Sequence, residues 1–130
     1  MNNMPTPLDM VREFALRMDQ PLDQVWMEDL SLEEARFGFI REEFQEIFDE
    51  SCLGNSPEAM LKELADGIIT IAGYAATYGW DVMEAIRRVH ISNMSKLGDD
   101  GRPLKDTQGK VLKGPNYQKC NLKDLVETNK

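Results

Sequence analysis

The sequence predicts an all-α fold: four helices followed by a polar C-terminal arm. Apolar residues recur at spacings of three and four along several stretches, which is the period of an amphipathic helix. Serine, aspartate and proline residues stand where helices would begin, and glycines stand where they would end. With 130 residues, 42% of them hydrophobic, the chain has the length and composition of one globular domain.

The first two helices are predicted from their start signals and apolar stripes. Pro7 opens the first helix, which ends at Gln20-Pro21. Ser31 and Glu34 form a predicted capping box, and the second helix runs from there to about Ser51. One stripe of the second helix is expected to face the core: Phe37, Ile40, Phe44, Ile47 and Phe48.

The third helix is predicted from Ser56-Pro57-Glu58 to about Tyr78, where Gly79 stops it. Asp81 is expected to cap a fourth helix, from Val82 to about Lys96. The third helix has one row of core-like residues: Leu61, Leu64, Ala65, Ile68, Ile71, Ala72 and Ala75. It has a second row of small and polar residues, which leaves room beside two acids: Ala59, Glu63, Asp66, Thr70, Gly73 and Thr77.

The character of the chain changes after Leu97. Turn-forming residues at 98–101 are followed by a predicted β-hairpin from Arg102 to Lys113, and Asn121 to Val126 is predicted as a last helical turn. We therefore expect a helical domain at residues 1–97 and a C-terminal arm at 98–130 that packs on it.

Charge and segment composition exclude several classes of function. The formal net charge of −8 disfavours a nucleic acid polymer as partner, because phosphate binding needs a basic face. The uncharged run Gly67 to Trp80 is shorter than the roughly 20 residues that span a bilayer, and the N-terminus lacks the features of a signal peptide. Cys52 and Cys120 are isolated, which is typical of a reduced compartment. We expect a cytoplasmic protein without a membrane partner.

Two pairs of acids carry the chemistry. Glu43 and Glu46 lie three residues apart on the second helix, as do Glu63 and Asp66 on the third, so each pair shares a helix face. Four carboxylates on two antiparallel helices match the oxygen ligands that Mg²⁺ prefers. Iron is disfavoured because the chain has one histidine, His90. The residues alone leave open that these acids are solvated surface, although the apolar neighbours of Asp66 weaken that interpretation.

The acid pattern resembles that of a known superfamily. The order E-x-x-E, sixteen residues, E-x-x-D is similar to that of the all-α nucleoside triphosphate pyrophosphohydrolases. That superfamily includes MazG-like enzymes, phosphoribosyl-ATP pyrophosphohydrolases and dimeric dUTPases. The segment Val89 to Leu97 resembles its third motif. The tail from Asp100 to Tyr117 resembles a phosphoribosyl-ATP-pyrophosphohydrolase-like branch common in phages and bacteria.

The resemblance implies a MazG-like four-helix bundle completed by dimerisation, as a homodimer or a dimer of dimers. It implies that Glu43, Glu46, Glu63 and Asp66 hold Mg²⁺, with Mn²⁺ as a substitute, and that the metal bridges the triphosphate. The implied reaction converts a (d)NTP into a (d)NMP and pyrophosphate. Glu42 is the candidate for orienting or deprotonating the attacking water.

The resemblance also implies substrate contacts from the end of the fourth helix and from the arm. Asn93 and Lys96 are expected to contact sugar and phosphate. Lys113 and Tyr117 are expected to close over the site from the tail.

Two other functions remain open at the level of sequence. One is phosphoribosyl-ATP pyrophosphohydrolysis in histidine synthesis, which keeps the enzyme class and changes the substrate. The other is a non-catalytic helical module whose acidic face binds a basic partner. The tail favours free nucleotides as substrate, in a nucleotide-pool housekeeping role.

Overall fold

The computed structural model describes residues 3–127, which form five helices and no β-strand. The predicted all-α character is confirmed. The helices are α1 Pro7–Arg17, α2 Leu30–Leu53, α3 Pro57–Thr77, α4 Val82–Met94 and α5 Lys123–Val126. None of these helices combines the length and the apolar character needed to cross a bilayer.

Local signals fix where the helices begin, with one correction. Thr6 accepts a hydrogen bond from Asp9 N, and the Asp9 carboxylate accepts one from Thr6 N, which completes a capping box before α1. Ser56 accepts a hydrogen bond from Ala59 N and starts α3 as predicted. The prediction of Ser31 as the cap of α2 is wrong, because Asp29 accepts the hydrogen bond from Leu32 N and Ser31 is already helical.

The chain divides after Val82 into two compact units. In the first unit, α3 packs against both α1 and α2. Its buried core is small, and one cluster in it is formed by Val11, Ala72 and Ala76, with Leu8, Leu22 and Val82 packed against them. The predicted division into residues 1–97 and 98–130 stays a prediction.

The segment between α1 and α2 is fixed to both of its neighbours. The Arg12 guanidinium donates two hydrogen bonds of 2.9 Å to the Asp23 carboxylate, and Gln24 N donates to Thr77 O at 2.8 Å. Further on, Trp26 Nε1 donates to the Tyr74 hydroxyl, which donates to Glu33 Oε2, each at 2.9 Å. These bonds hold α1, the connecting segment and the two long helices in one arrangement.

The stripe of α2 that was expected to face the core is largely exposed, so that expectation is wrong for most of its members. No residue of α2 is buried, and Phe44 and Phe48 are 64% and 63% exposed. The predicted core row of α3 is also wrong for most of its members, because only Ala72 and Ala75 are buried whereas the other five, among them Leu61 and Ile68, are exposed. The first unit therefore presents an apolar face on α2 and α3 that its own residues do not cover.

The second unit is held together by polar contacts between α4 and the C-terminal segment. The Arg88 guanidinium donates hydrogen bonds to Glu84, Asp124 and the Asn121 carbonyl. Hydrogen bonds from Arg87 and then Arg88 lower the pKa of Glu84 to about 2, so this carboxylate stays ionised at mildly acidic pH. Ser92, which is buried on α4, donates to Gln118 O at 2.8 Å.

The predicted β-hairpin forms a turn without strands. Lys105 and Val111 make an isolated antiparallel bridge, and Leu112 N donates to Leu104 O at 2.7 Å. Gly109, at the turn, has a φ of +83°, which favours glycine. The predicted last helical turn is confirmed as α5, Lys123–Val126.

Gly114 is required where the C-terminal segment meets the end of α4. Its amide donates to Lys96 O at 2.9 Å, and a Cβ atom built on Gly114 would clash with the backbone oxygens of Lys96 and Leu97.

We expect Gly114→Ala to destabilise the protein by about 1–3 kcal/mol in urea unfolding followed by circular dichroism. Gly38→Ala is the matched control, since nothing lies within 4 Å of a Cβ atom there. The control should be neutral or should stabilise α2 by about 0.5–1 kcal/mol. Equal stability of the two variants would contradict this role of Gly114.

Candidate metal centre

Three acids from α2 and α3 meet at one place in the first unit. Glu43 from α2 and Glu63 and Asp66 from α3 each offer a carboxylate oxygen, and these three atoms lie within 4.8 Å of one another. The two helices are antiparallel, joined by a short link, and Glu63 and Asp66 share a face because they are three residues apart. Gly67, next to Asp66, is buried, and a Cβ atom there would lie 3.1 Å from Ile47 Cδ1. The glycine therefore lets the helices approach closely beside the acids.

Two of the three acids have one buried oxygen that lacks a partner. Glu43 Oε2 and Glu63 Oε2 are inaccessible to solvent and accept no hydrogen bond from the described residues. An unpaired buried polar atom costs free energy comparable to that of a lost hydrogen bond. Unpartnered oxygens on two of the three clustered acids are an arrangement that a bound cation would satisfy.

The electrostatics of the cluster favour cation binding. A hydrogen bond with the Glu46 carboxyl raises the pKa of Glu63, and burial and the charge of Glu46 add to this effect. Lys62 Nζ lies 2.6 Å from Asp66 Oδ2 and compensates part of the negative charge. That ion pair is partly exposed, so its ammonium group is able to move to solvent when a cation binds.

The remaining acids predicted for the site lie at its margin. Glu46 contacts Glu63 but is outside the set of three oxygens within 4.8 Å, and its side chain is exposed. Glu42 is also exposed and lines a cavity together with Glu43. The structure thus brings three of the four predicted ligands together and places Glu46 and Glu42 beside them.

The donor set fits a hard divalent cation. The grouped ligand atoms are carboxylate oxygens, which suit Mg²⁺ and Mn²⁺ better than softer metals. The only histidine, His90, is not part of this group. Mg²⁺ commonly takes one or two carboxylates and completes its octahedron with water and substrate phosphates. Binding of Mg²⁺, with Mn²⁺ as a substitute, stays a prediction.

The four predicted substrate ligands belong to the second unit. Asn93 is exposed near the end of α4, and the Lys96 carbonyl receives the hydrogen bond from Gly114. The structure brings Lys113 and Tyr117 together, with Lys113 Nζ 4.9 Å from the centre of the Tyr117 ring. Their contacts with substrate stay predictions.

Two surfaces that the sequence does not predict adjoin the acids. A cavity of about 230 Å³ lies between α1, α2 and α3, and its lining includes Arg36 and Thr70 as well as Glu42 and Glu43. On the other side, Glu43 borders an apolar groove whose walls include Phe44, Leu64 and Ile68. The sequence does contain a signal for Arg36, which is its spacing from Glu43. A residue seven positions before Glu43 lies on the same helix face, two turns away.

No protein-family model matches the sequence, and no curated protein sequence matches it. The resemblance to the all-α nucleoside triphosphate pyrophosphohydrolases therefore stays a prediction, which depends on the motifs and on the geometry of the acids.

Proposed function

We propose that this protein is a Mg²⁺-dependent nucleoside triphosphate pyrophosphohydrolase that converts (d)NTPs to (d)NMPs and pyrophosphate. The observation that carries the proposal is the set of three carboxylate oxygens within 4.8 Å of one another. Two of these acids, Glu43 and Glu63, also have a buried oxygen without a hydrogen-bond partner. A cation at this point explains how a chain of net charge −8 would bind a polyanion.

The proposed roles follow from where the residues lie. Glu43, Glu63 and Asp66 would hold Mg²⁺, with Glu46 at the edge of the cluster as a further ligand or as a partner of Glu63. The bound ion would neutralise the phosphates and activate water. Glu42, which lines the adjoining cavity, would orient the attacking water and take its proton.

The reaction balances with one water. Its oxygen bonds to the α-phosphorus, the bond from that phosphorus to the bridging oxygen breaks, and pyrophosphate leaves. Asn93, Lys96, Lys113 and Tyr117 are the proposed contacts to sugar and phosphates. We place the enzyme in the cytoplasm, where it would act on the free nucleotide pool.

We further propose that the active form is a homodimer. The apolar face on α2 and α3 includes Phe44, Phe48 and Ile68, each more than half exposed. Its groove borders Glu43, so a second copy of the chain would cover the apolar surface and enclose the acids. Contiguous exposed apolar surface of this kind is typical of protein–protein interfaces.

The decisive assay measures pyrophosphate released from a panel of (d)NTPs in the presence of Mg²⁺ or Mn²⁺. We expect turnover of at least one nucleotide, complete loss with a chelator, and recovery when the cation is restored. Titration calorimetry with each ion in the absence of nucleotide provides an independent readout. No turnover and no heat of ion binding would overturn the proposal and favour a non-catalytic helical module.

A further inference from the structure

The cavity beside the acids presents polar groups that have no partner. Its lining includes Phe14, Gln20, Arg36, Phe39, Glu43 and Thr70. Within residues 3–127, the Arg36 guanidinium makes no hydrogen bond and no ion pair, and the Gln20 carboxamide and Thr70 hydroxyl also make none. An apolar cavity with a few convergent polar groups is the usual form of a small-molecule site.

Arg36 is held in place without being neutralised. Its guanidinium lies 5.4 Å from the centre of the Phe39 ring, and its Nη2 atom lies 3.7 Å from the position of a Cβ atom on Gly73. Burial lowers the pKa of Arg36, since the guanidinium is removed from water without gaining a carboxylate. Such a group gains most from a ligand that offers hydrogen-bond acceptors.

The position of Arg36 relative to the acids indicates which part of a nucleotide it would meet. Arg36 precedes Glu43 by seven residues on α2, which places it on the same face about 10 Å along the helix. If the phosphates are held at Glu43, Glu63 and Asp66, the far end of the cavity falls where the base would lie. Its volume of about 230 Å³ is below that of sites for drug-sized ligands, and suits one heteroaromatic ring system.

We infer that this cavity is the base subsite and that Arg36 selects bases with a carbonyl oxygen on their exposed edge, guanine above all. This inference rests on the nucleotide pyrophosphohydrolase function proposed above. A guanidinium has donors only, and it pairs in a bidentate manner with O6 and N7 of guanine. Adenine and cytosine present an amino group at the equivalent position, and two donors would then oppose each other. Gln20 and Thr70 have oxygens that accept from a ring N–H.

The test compares kcat/KM for dGTP, dTTP, dATP and dCTP in the unaltered protein and in Arg36→Met. We expect the unaltered protein to prefer dGTP over dATP by about 10-fold or more. In Arg36→Met, kcat/KM for dGTP should fall by about 10- to 100-fold while that for dATP changes little. Arg41→Met is the matched control, because Arg41 also lies over a phenylalanine on α2, 5.5 Å from the ring centre of Phe37, but does not line this cavity. The control should keep the nucleotide preference.

A second variant separates base recognition from phosphate binding. Arg36→Lys keeps the charge and loses the planar fork, so it should recover only part of the preference for dGTP if Arg36 binds the base in a bidentate manner. An equal fall for all four nucleotides in Arg36→Met, with recovery in Arg36→Lys, would overturn the inference in favour of phosphate binding. Absence of any base preference in the unaltered protein would overturn it as well.

Binding without catalysis keeps the subsite testable if no nucleotide is hydrolysed. Guanosine and adenosine are titrated calorimetrically against the unaltered protein and Arg36→Met. Tighter binding of guanosine, lost in Arg36→Met, would support the subsite although the proposed function had failed. Equal binding of both nucleosides, or binding of neither, would overturn the subsite itself.

Discussion

Glu63→Gln is expected to lower the rate of Mg²⁺-dependent pyrophosphate release by about 100-fold or more. The same substitution is expected to raise the melting temperature of the metal-free protein. Both effects have one cause. Glu63 Oε2 is buried without a hydrogen-bond partner, and the neighbouring Glu46 raises the pKa of Glu63. The carboxylate is therefore unfavourable for the metal-free fold and favourable for cation binding. Glutamine keeps the shape, removes the charge, and adds an N–H that is able to donate to a neighbouring acid.

Thermal unfolding with and without Mg²⁺ measures the two effects separately. A cation that binds only the folded state raises the melting temperature of the unaltered protein as its concentration increases. Glu63→Gln should begin at a higher melting temperature and then show little or no rise with Mg²⁺. Glu34→Gln is the matched control, because Glu34 is exposed on α2 and is not one of the three clustered acids. The control should keep the rise in melting temperature and the activity.

Two outcomes would contradict this prediction in different ways. A full rise with Mg²⁺ and full turnover in Glu63→Gln would mean that the three acids do not hold the catalytic ion. A lower melting temperature of the metal-free variant would mean that Glu63 stabilises the fold, and that its unpaired oxygen has a partner in solution.

The helix boundaries followed from local chemistry and were largely predictable. Ser56 and Pro57 begin α3 because a cap and a proline at the first position act within one turn. The cap of α2 was missed because Asp29 and Ser31 are both able to cap, and the choice depends on how the preceding chain approaches the helix. The same limit applies to the hairpin, whose turn is local but whose strands need neighbours to pair with.

The approach of the acids was predictable in outline, whereas the cavity beside them was not. Spacing places Glu63 with Asp66 on one helix face, and a short link between α2 and α3 brings Glu43 opposite them. Arg36 looks like an ordinary surface charge in the sequence, since its lack of a partner depends on side chains from three helices. Periodicity also identified the apolar stripe of α2, but it does not indicate whether the chain itself or a second copy covers that stripe.

The double variant Phe44→Ala with Ile68→Ala is expected to weaken self-association by about 100-fold or more. Phe44 and Ile68 are 64% and 59% exposed, and both line the apolar groove between α2 and α3. Full burial of one such side chain contributes about 1.5–3 kcal/mol, and a symmetric dimer would lose both residues from each copy. Sedimentation velocity at micromolar concentration should show a dimer for the unaltered protein and the 14.8 kDa chain for the variant.

Leu16→Ala is the control for this experiment, because Leu16 is 70% exposed on α1 and does not line the groove. It should leave the dimer intact. An unaltered protein that sediments as a monomer throughout would contradict the dimer, and a double variant that stays dimeric would place the interface elsewhere. Because Glu43 borders both the groove and the cavity, dissociation should also reduce turnover while Mg²⁺ still binds to the three acids of each copy. A monomeric variant with full activity would mean that one copy of the chain forms the complete site.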